Sequence, residues 1–267
     1  MDATPLWPFQ RPSVHEQVSA IIRQHSTNPQ DVRDAALADL ELSRVRHVLD
    51  LGCGFGFMAE AVARRVAPDA CLVGVDLWPT NEEPFLRRVA AAGRQGRFFC
   101  SEVGSRFPCP DHGYDLVVCS YSLYFFLDAL PEVTRVLAAD GLFLAVTHSE
   151  ASLRSLLSVA GVGDLDSTVF RLRQGFSAEN GSGVLEPWFG EITRTAYENT
   201  LRFDPGHLDE LLTLLRFKLP LLAARSEPTD ELPDAVTGHV TDLYARAGEV
   251  LVQKNDAIFH CRSPRCP

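Results

Sequence analysis

Apolar and polar positions along this chain fall into two alternating rhythms. Short apolar runs recur at His47–Leu51, Cys71–Asp76, Gly96–Glu102, Tyr114–Ser120 and Gly141–Thr147. Unbroken runs of this length predict strands buried on both faces. Between them the period lengthens. Met58, Ala59, Ala61, Val62 and Val66 recur at helical spacing with Glu60, Arg64 and Arg65 interleaved, and Asn81–Ala92 and Leu130–Leu137 follow the same rule. Strands alternating with helices predict a parallel sheet with helices on both faces. The distance between the first two strands suits a right-handed crossover, which makes them parallel neighbours.

The flanks read differently. Pro5, Pro8 and Pro12 exclude a regular element before residue 13. Ser13-x-x-Glu16 is a capping box, with Val14, Val18, Ile21 and Ile22 as one apolar stripe behind it. Asn28-Pro29 marks a second helix, to Leu40, burying Val32, Ala35, Ala36 and Leu40. Residues 1–44 are therefore expected to form a helical flank or lid, and 45–267 the main domain. After Thr147 a helix runs from Glu150 to Val159, and the alternation then fails. Val169, Leu172 and Phe176 give a short amphipathic helix that Asn180-Gly181-Ser182-Gly183 breaks, so 161–194 reads as an insertion after the fifth strand. A sixth strand is predicted at Thr195–Phe203, helices at Gly206–Phe217 and Asp234–Val252, and an antiparallel last strand at Asp256–His260. Ser226–Pro233 is the only linker-like stretch.

Three glycines follow the first strand at alternate positions, in Asp50-Leu51-Gly52-Cys53-Gly54-Phe55-Gly56. Strand, glycine turn and helix in about twenty residues open a nucleotide-binding βαβ unit. Two cofactor readings compete. Gly54-Phe55-Gly56-Phe57-Met58-Ala59 fits a dinucleotide fingerprint, with Asp76 at the expected distance, but the strand ends at Leu51, three residues too early. The other takes Asp50-x-Gly52-x-Gly54-x-Gly56 as the unit. A carboxylate on the last turn of the strand repels a pyrophosphate and suits a cationic aminoacyl group. On that spacing the stretch resembles motif I of the class I S-adenosylmethionine-dependent methyltransferases, and the resemblance covers roughly His47–Ser149.

The resemblance implies an α/β fold, a doubly wound, mostly parallel, seven-stranded Rossmann-like sheet, with S-adenosyl-L-methionine as cofactor. Asp50, Gly52, Cys53, Gly54 and Gly56 would form the cofactor turn, and Asp76, at the end of the second strand, would take the ribose hydroxyls. Leu77, with Trp78, would pack on the adenine. The family's acid after the third strand falls on Val103, with Glu102 one residue earlier, so adenine recognition stays open between the Glu102 side chain and the Val103 amide. Cys119 and Ser120 end the fourth strand on the same edge. Tyr121, Tyr124 and His148 follow the carboxy ends of strands four and five and are the candidate acceptor-side residues; Phe176 and Trp188 would close the cleft from the insertion. The reaction implied is methyl transfer to a small-molecule acceptor. An SN2 step mainly needs its nucleophile in line, and positioning is preferred over a His148 base because no orienting carboxylate is evident. The departures at Val103 and Ala139-Asp140-Gly141 keep a non-catalytic cofactor-binding or scaffold protein as an alternative, with an NAD-dependent oxidoreductase behind it.

Composition narrows the partners. A length of 267 residues supports one sizeable core, and a net charge of −10 argues against nucleic acid or an anionic membrane surface. The absence of an Asn-Pro-Pro-Tyr segment after strand four weakens the nucleic-acid case further. No apolar run approaches a membrane span, and Met1–Phe9 lacks the features of a signal peptide. Seven cysteines without paired spacing suggest reduced thiols and a cytoplasmic setting. Cys261-x4-Cys266 beside His260 lacks the second pair of a zinc site, and no metal is expected.

Overall fold

Each of the five apolar runs becomes a strand. In the computed structural model these are β1 (His47–Leu51), β2 (Cys71–Asp76), β3 (Gln95–Cys100), β4 (Tyr114–Ser120) and β5 (Leu137–His148), joined later in the chain by β6 (Phe189–Tyr197) and β9 (Asp256–Pro264). The structure describes residues 6–104, 106–107, 109–163, 168–222 and 231–265. Pro5, part of the 161–194 insertion, most of the Ser226–Pro233 stretch and Cys266 lie outside the described residues. The seven strands form one sheet in the order β3-β2-β1-β4-β5-β9-β6. The pairs β1–β2, β1–β4, β2–β3 and β4–β5 are parallel. The order reverses direction at β1, so the carboxy ends of β1 and β4 flank a topological switch point, where open sheets bind ligands.

The chain separates into two compact units. The sheet unit holds residues 32–147, 175–197 and 257–267. Its core includes Val48, Leu72, Leu116, Leu144 and Ile258, packed with Met58, Val62 and Val66 from α3 (Phe57–Ala63) and its C-terminal turn, and with Phe85 and Val89 from α4 (Glu82–Ala91). Helices α5 (Leu130–Val136) and α8 (Gly181–Leu185) belong to the same unit. Short α2 (Val32–Leu37) buries Val32, Ala36 and Leu37. The expected helix was longer, from Pro29 to Leu40 with Asn28 as its N-cap; the Asn28 side chain instead accepts from the Gln30 amide at 3.0 Å, closing a local turn. In β5 the strand runs through Ala139-Asp140-Gly141 and starts four residues before the predicted point.

The helical unit gathers residues 1–31, 148–174 and 198–256. Here α1 (Pro12–His25), α6 (Ser155–Val159), α7 (Thr168–Gly175), α9 (Leu208–Leu222) and α10 (Asp234–Ala247) supply most of a second core, with Val18, Leu156, Phe170, Leu211, Leu215 and Val240 at its centre. The predicted capping box does not form: α1 starts at Pro12, whose missing N–H costs nothing at a helix start, and no side chain caps it. The predicted sixth strand divides at Glu198-Asn199, so that β6 joins the large sheet while β7 (Thr200–Phe203) pairs antiparallel with β8 (Val250–Gln253). Residues 250–252, expected as the end of a helix, are thus a strand. Gly248, at φ +74°, ends α10 by donating to the Tyr244 carbonyl.

Candidate cofactor and acceptor site

Asp50 pairs in register with Gly74 of β2 on one side and Val118 of β4 on the other, which places it within the inner part of the sheet, near its carboxy edge. It is 2% exposed, and its Oδ2 is buried without a hydrogen-bond partner among the described residues. Burial, reinforced by the nearby Asp76 charge, pushes its pKa up to about 7. A second orphan lies at the end of the neighbouring strand, the Ser120 Oγ, and a third is Asn81 Oδ1. Buried polar atoms are seldom left unpaired; Asp50 and Ser120 lie near the carboxy ends of the adjacent strands β1 and β4, and Asn81 follows β2 in a 3-10 turn.

The glycine turn is held by its own backbone. The Gly52 and Cys53 amides donate to the Val75 carbonyl at 2.8 and 3.1 Å, and the Gly54 amide donates to Asp76 Oδ2 at 2.8 Å. The other Asp76 oxygen accepts from the Trp78 amide and from Asn81 Nδ2, both at 2.9 Å. Asp76 therefore fixes the turn and has oxygen lone pairs left for further donors. Gly52 sits at φ +67°, and a Cβ there would lie 2.6 Å from Ser122 Cβ, so this position needs glycine twice over. Gly54, at φ +51°, has nothing within 4 Å of the place a Cβ would take, which leaves open space above the turn. Gly74 is a third requirement, one with no local sequence signal: a side chain there would strike Cys53 Sγ and the Phe85 ring at 2.7 Å.

Other predicted residues fall into place unevenly. Leu77 is 42% exposed directly after Asp76, and Val103 is buried while Glu102 is exposed. Cys119 is buried, with its Sγ 3.1 Å from Ser122 Oγ, and Ser122 Oγ donates in turn to the Leu51 carbonyl at 2.8 Å. Ser122, absent from the sequence-based candidates, is what braces the first strand's end against the turn. Burial holds both the Cys53 and Cys119 thiols well above their ordinary range, so neither is a nucleophile. Tyr121 adopts φ +58°, a strained conformation for a side-chain-bearing residue, fixed by its amide donating to the Val146 carbonyl at 2.8 Å. Tyr124 is buried, its ring 4.6 Å from that of Phe125. Phe176 is fully buried against Phe259, at 5.6 Å between rings, so it belongs to the core and does not close a cleft. Trp188 is partly buried.

His148 departs most from expectation. It is the last residue of β5, 5% exposed, and an orienting carboxylate is present after all: its Nδ1 lies 2.7 Å from Asp256 Oδ1. Asp256 Oδ2 accepts from Lys254 Nζ at 2.5 Å. Burial and the charge of Arg173 hold the His148 pKa down at about 3, against the pull of Asp256. Burial alone would raise Asp256, but Lys254 and His148 bring it to about 2. The pair is thus a neutral imidazole donating Nδ1–H to an ionised carboxylate, which leaves the lone pair on Nε2. Arg173, also buried, donates to the Ser152 carbonyl at 2.9 Å.

Residues 48–141 match the family model described as a methyltransferase domain. Among curated proteins, the chain is 35% identical over 109 residues to an uncharacterised methyltransferase of Bacillus subtilis, YcgJ, covering 39% of this chain and 42% of that one. It is 30% identical over 133 residues to trans-aconitate 2-methyltransferase of Delftia acidovorans, covering 47% and 48%. The matched part thus spans less than half the length of these curated relatives. Among solved structures the fold is shared with the [4+2]-cyclase SpnF, with a TM-score of 0.56, 14% identity and coverage of 97% and 96%. It is shared also with a Bacillus halodurans protein, BH2331, provisionally named a methyltransferase, with a TM-score of 0.52, 17% identity and coverage of 87% and 99%. The acid-glycine turn, Asp76 and the strands β2 to β4 all lie within the stretch that matches the methyltransferase domain.

Proposed function

We propose that this protein transfers the methyl group of S-adenosyl-L-methionine to a nucleophilic atom of a small-molecule acceptor. The observation that carries the reading is the buried, unpartnered Asp50 Oδ2 beneath a glycine turn with open space at Gly54. A carboxyl group so placed recovers its charge when a cationic ammonium binds, and the residues present fit an aminoacyl nucleoside. Asp50 would hold the amino group, Asp76 the ribose hydroxyls, Leu77 the adenine face, and Glu102 or the Val103 amide the adenine edge. Cys53, Gly56, Cys119 and Ser120 would complete the wall. When bound, the cofactor supplies an electrophilic methyl carbon on a sulfonium. The chain's own part is to orient the acceptor and exclude water.

Tyr121 and Tyr124 are the acceptor-side candidates of the sheet unit, and His148 is a separate candidate in the helical unit. His148 is oriented by Asp256 and neutral, but a pKa held down at about 3 makes it a weak base, which favours positioning of the acceptor over proton removal. Lys254 pairs with Asp256, and burial, with the charges of Arg173 and Lys254, lowers the Lys218 pKa to about 7. These basic groups support an acceptor carrying an acidic group, in line with the trans-aconitate and aklanonic acid named for two relatives. No helix among the described residues is long and apolar enough to cross a membrane, and the reduced thiols support a cytoplasmic setting. The test is turnover: S-adenosylhomocysteine release measured against a panel of carboxylic acids and their methyl esters or amides. Release with free acids supports the reading. Release with neutral analogues only would remove the acidic acceptor, and no release with cofactor bound would leave the non-catalytic alternative in place.

A further inference from the structure

The helical unit contains a group of side chains that methyl transfer does not use. Helix α1 ends on His25, and β7 leads through Asp204 and a 3-10 turn (Pro205–His207) into α9. His25 is 7% exposed and its Nδ1 lies 3.0 Å from the Arg202 carbonyl. A carbonyl only accepts, so the proton is on Nδ1 and the lone pair on Nε2. That Nε2 is buried and has no hydrogen-bond partner among the described residues. His207 repeats the arrangement, its Nδ1 2.9 Å from Asp204 Oδ1, which again leaves Nε2 as the basic nitrogen. The two rings meet edge to face at 4.7 Å. Glu210 follows His207 by three residues, in the first turn of α9.

Stacking explains the ring planes but not the nitrogens. His25 lies on Phe203 with centroids 4.2 Å apart, a satisfactory apolar contact for the ring, yet an apolar side chain would fill that place without stranding a lone pair. The pattern behind the rings points elsewhere. An imidazole whose far nitrogen is tied to a backbone carbonyl, or to a carboxylate, is oriented as metal-bound histidines are. The ligand atoms of His25, His207 and Glu210 all lie within 4.8 Å of one another. A further buried polar atom lies in the same unit: the Tyr244 hydroxyl has no partner among the described residues.

We propose that His25, His207 and Glu210 bind a divalent transition-metal ion, zinc first, tying the end of α1 to the start of α9. Two imidazoles and a carboxylate suit zinc or its neighbours and not magnesium or calcium, which prefer oxygen alone. Zinc bonds of about 2.0–2.2 Å would set the ligand atoms about 3.4 Å apart, so the site must contract on binding. His207 and Glu210 are only partly buried and have the rotamer freedom to do so. A dication also offsets the two negative charges of Asp204 and Glu210. The link joins positions far apart in the chain, one reason a metal there would act on the stability of this unit.

The experiment uses the full chain, stripped with chelator, given zinc chloride and desalted, with bound metal counted by mass spectrometry and affinity measured by calorimetry. The comparison is with Glu210→Gln, and with His207→Ala/Glu210→Gln, both at partly exposed positions. Wild type should retain one zinc and melt at a higher temperature with it. Both variants should bind at least about tenfold more weakly and lose the shift in melting temperature. Cobalt should give the visible absorption of a low-coordinate site in wild type and not in the double variant. No retention by wild type would overturn the proposal. Equal retention by the variants would overturn it too, assigning the metal to cysteine thiols instead.

Discussion

Asp50 gives the residue scale its clearest consequence. Its folded pKa of about 7 stands above the 3.8 of an unfolded aspartate, so the native state binds more protons between those values. Its contribution to stability is therefore full below about pH 4 and is lost as pH rises toward and through 7. A bound ammonium reverses the preference and draws the proton off. Affinity for S-adenosylhomocysteine should therefore climb from pH 5 to 7, by up to about tenfold per unit, and Asp50→Asn should flatten the profile. A flat wild-type profile would detach the ligand from this carboxyl. The two turn glycines should part company in denaturation. Gly54→Ala should cost about 1–2 kcal/mol for its left-handed backbone alone, while Gly52→Ala should cost more because its methyl meets Ser122 at 2.6 Å. Equal losses would contradict the close approach.

Between elements, what the sequence made legible was local. The acid-glycine turn, the acid ending β2 and the five alternating strands are each written within a few consecutive residues, and they stand where the pattern put them apart from the early start of β5. Contacts made across long separations were not legible. His148 and Asp256 are 108 residues apart, and only the pairing of β5 with β9 in the sheet turns an expected loop histidine into a buried one with a carboxylate. His25 and His207 were invisible for the same reason. The strand at 250–252 does have a local signal, the left-handed Gly248 that stops α10, but Val250 and Val252 are too few to establish a strand alternation. The buried Asp256 is central to this level of structure. Asp256→Asn would remove the carboxylate that Lys254 and His148 share and should cost about 3–5 kcal/mol in chemical denaturation, with His148→Gln costing less. If the two substitutions are equivalent, the Lys254 pair is not what the carboxylate chiefly holds.

At the scale of the whole molecule, two cores predict two cooperative units. α1, though first in the chain, packs its Val18 and Ile21 in the core that Leu211 and Leu215 share, while β1 belongs to the other. Leu211→Ala should remove about 2–5 kcal/mol, and native-state hydrogen exchange should then quicken in α1 and α9 more than in β1. Uniform quickening would show a single unit. The sheet unit carries the cofactor claim, on which the functional account depends. It is tested most directly by calorimetry of the full chain at pH 7.5 with S-adenosylhomocysteine and, separately, with NAD. The account predicts one site for S-adenosylhomocysteine, none for NAD, and a loss of about 30-fold or more in affinity for Asp50→Asn. Binding of NAD alone, or S-adenosylhomocysteine affinity indifferent to Asp50, would contradict it.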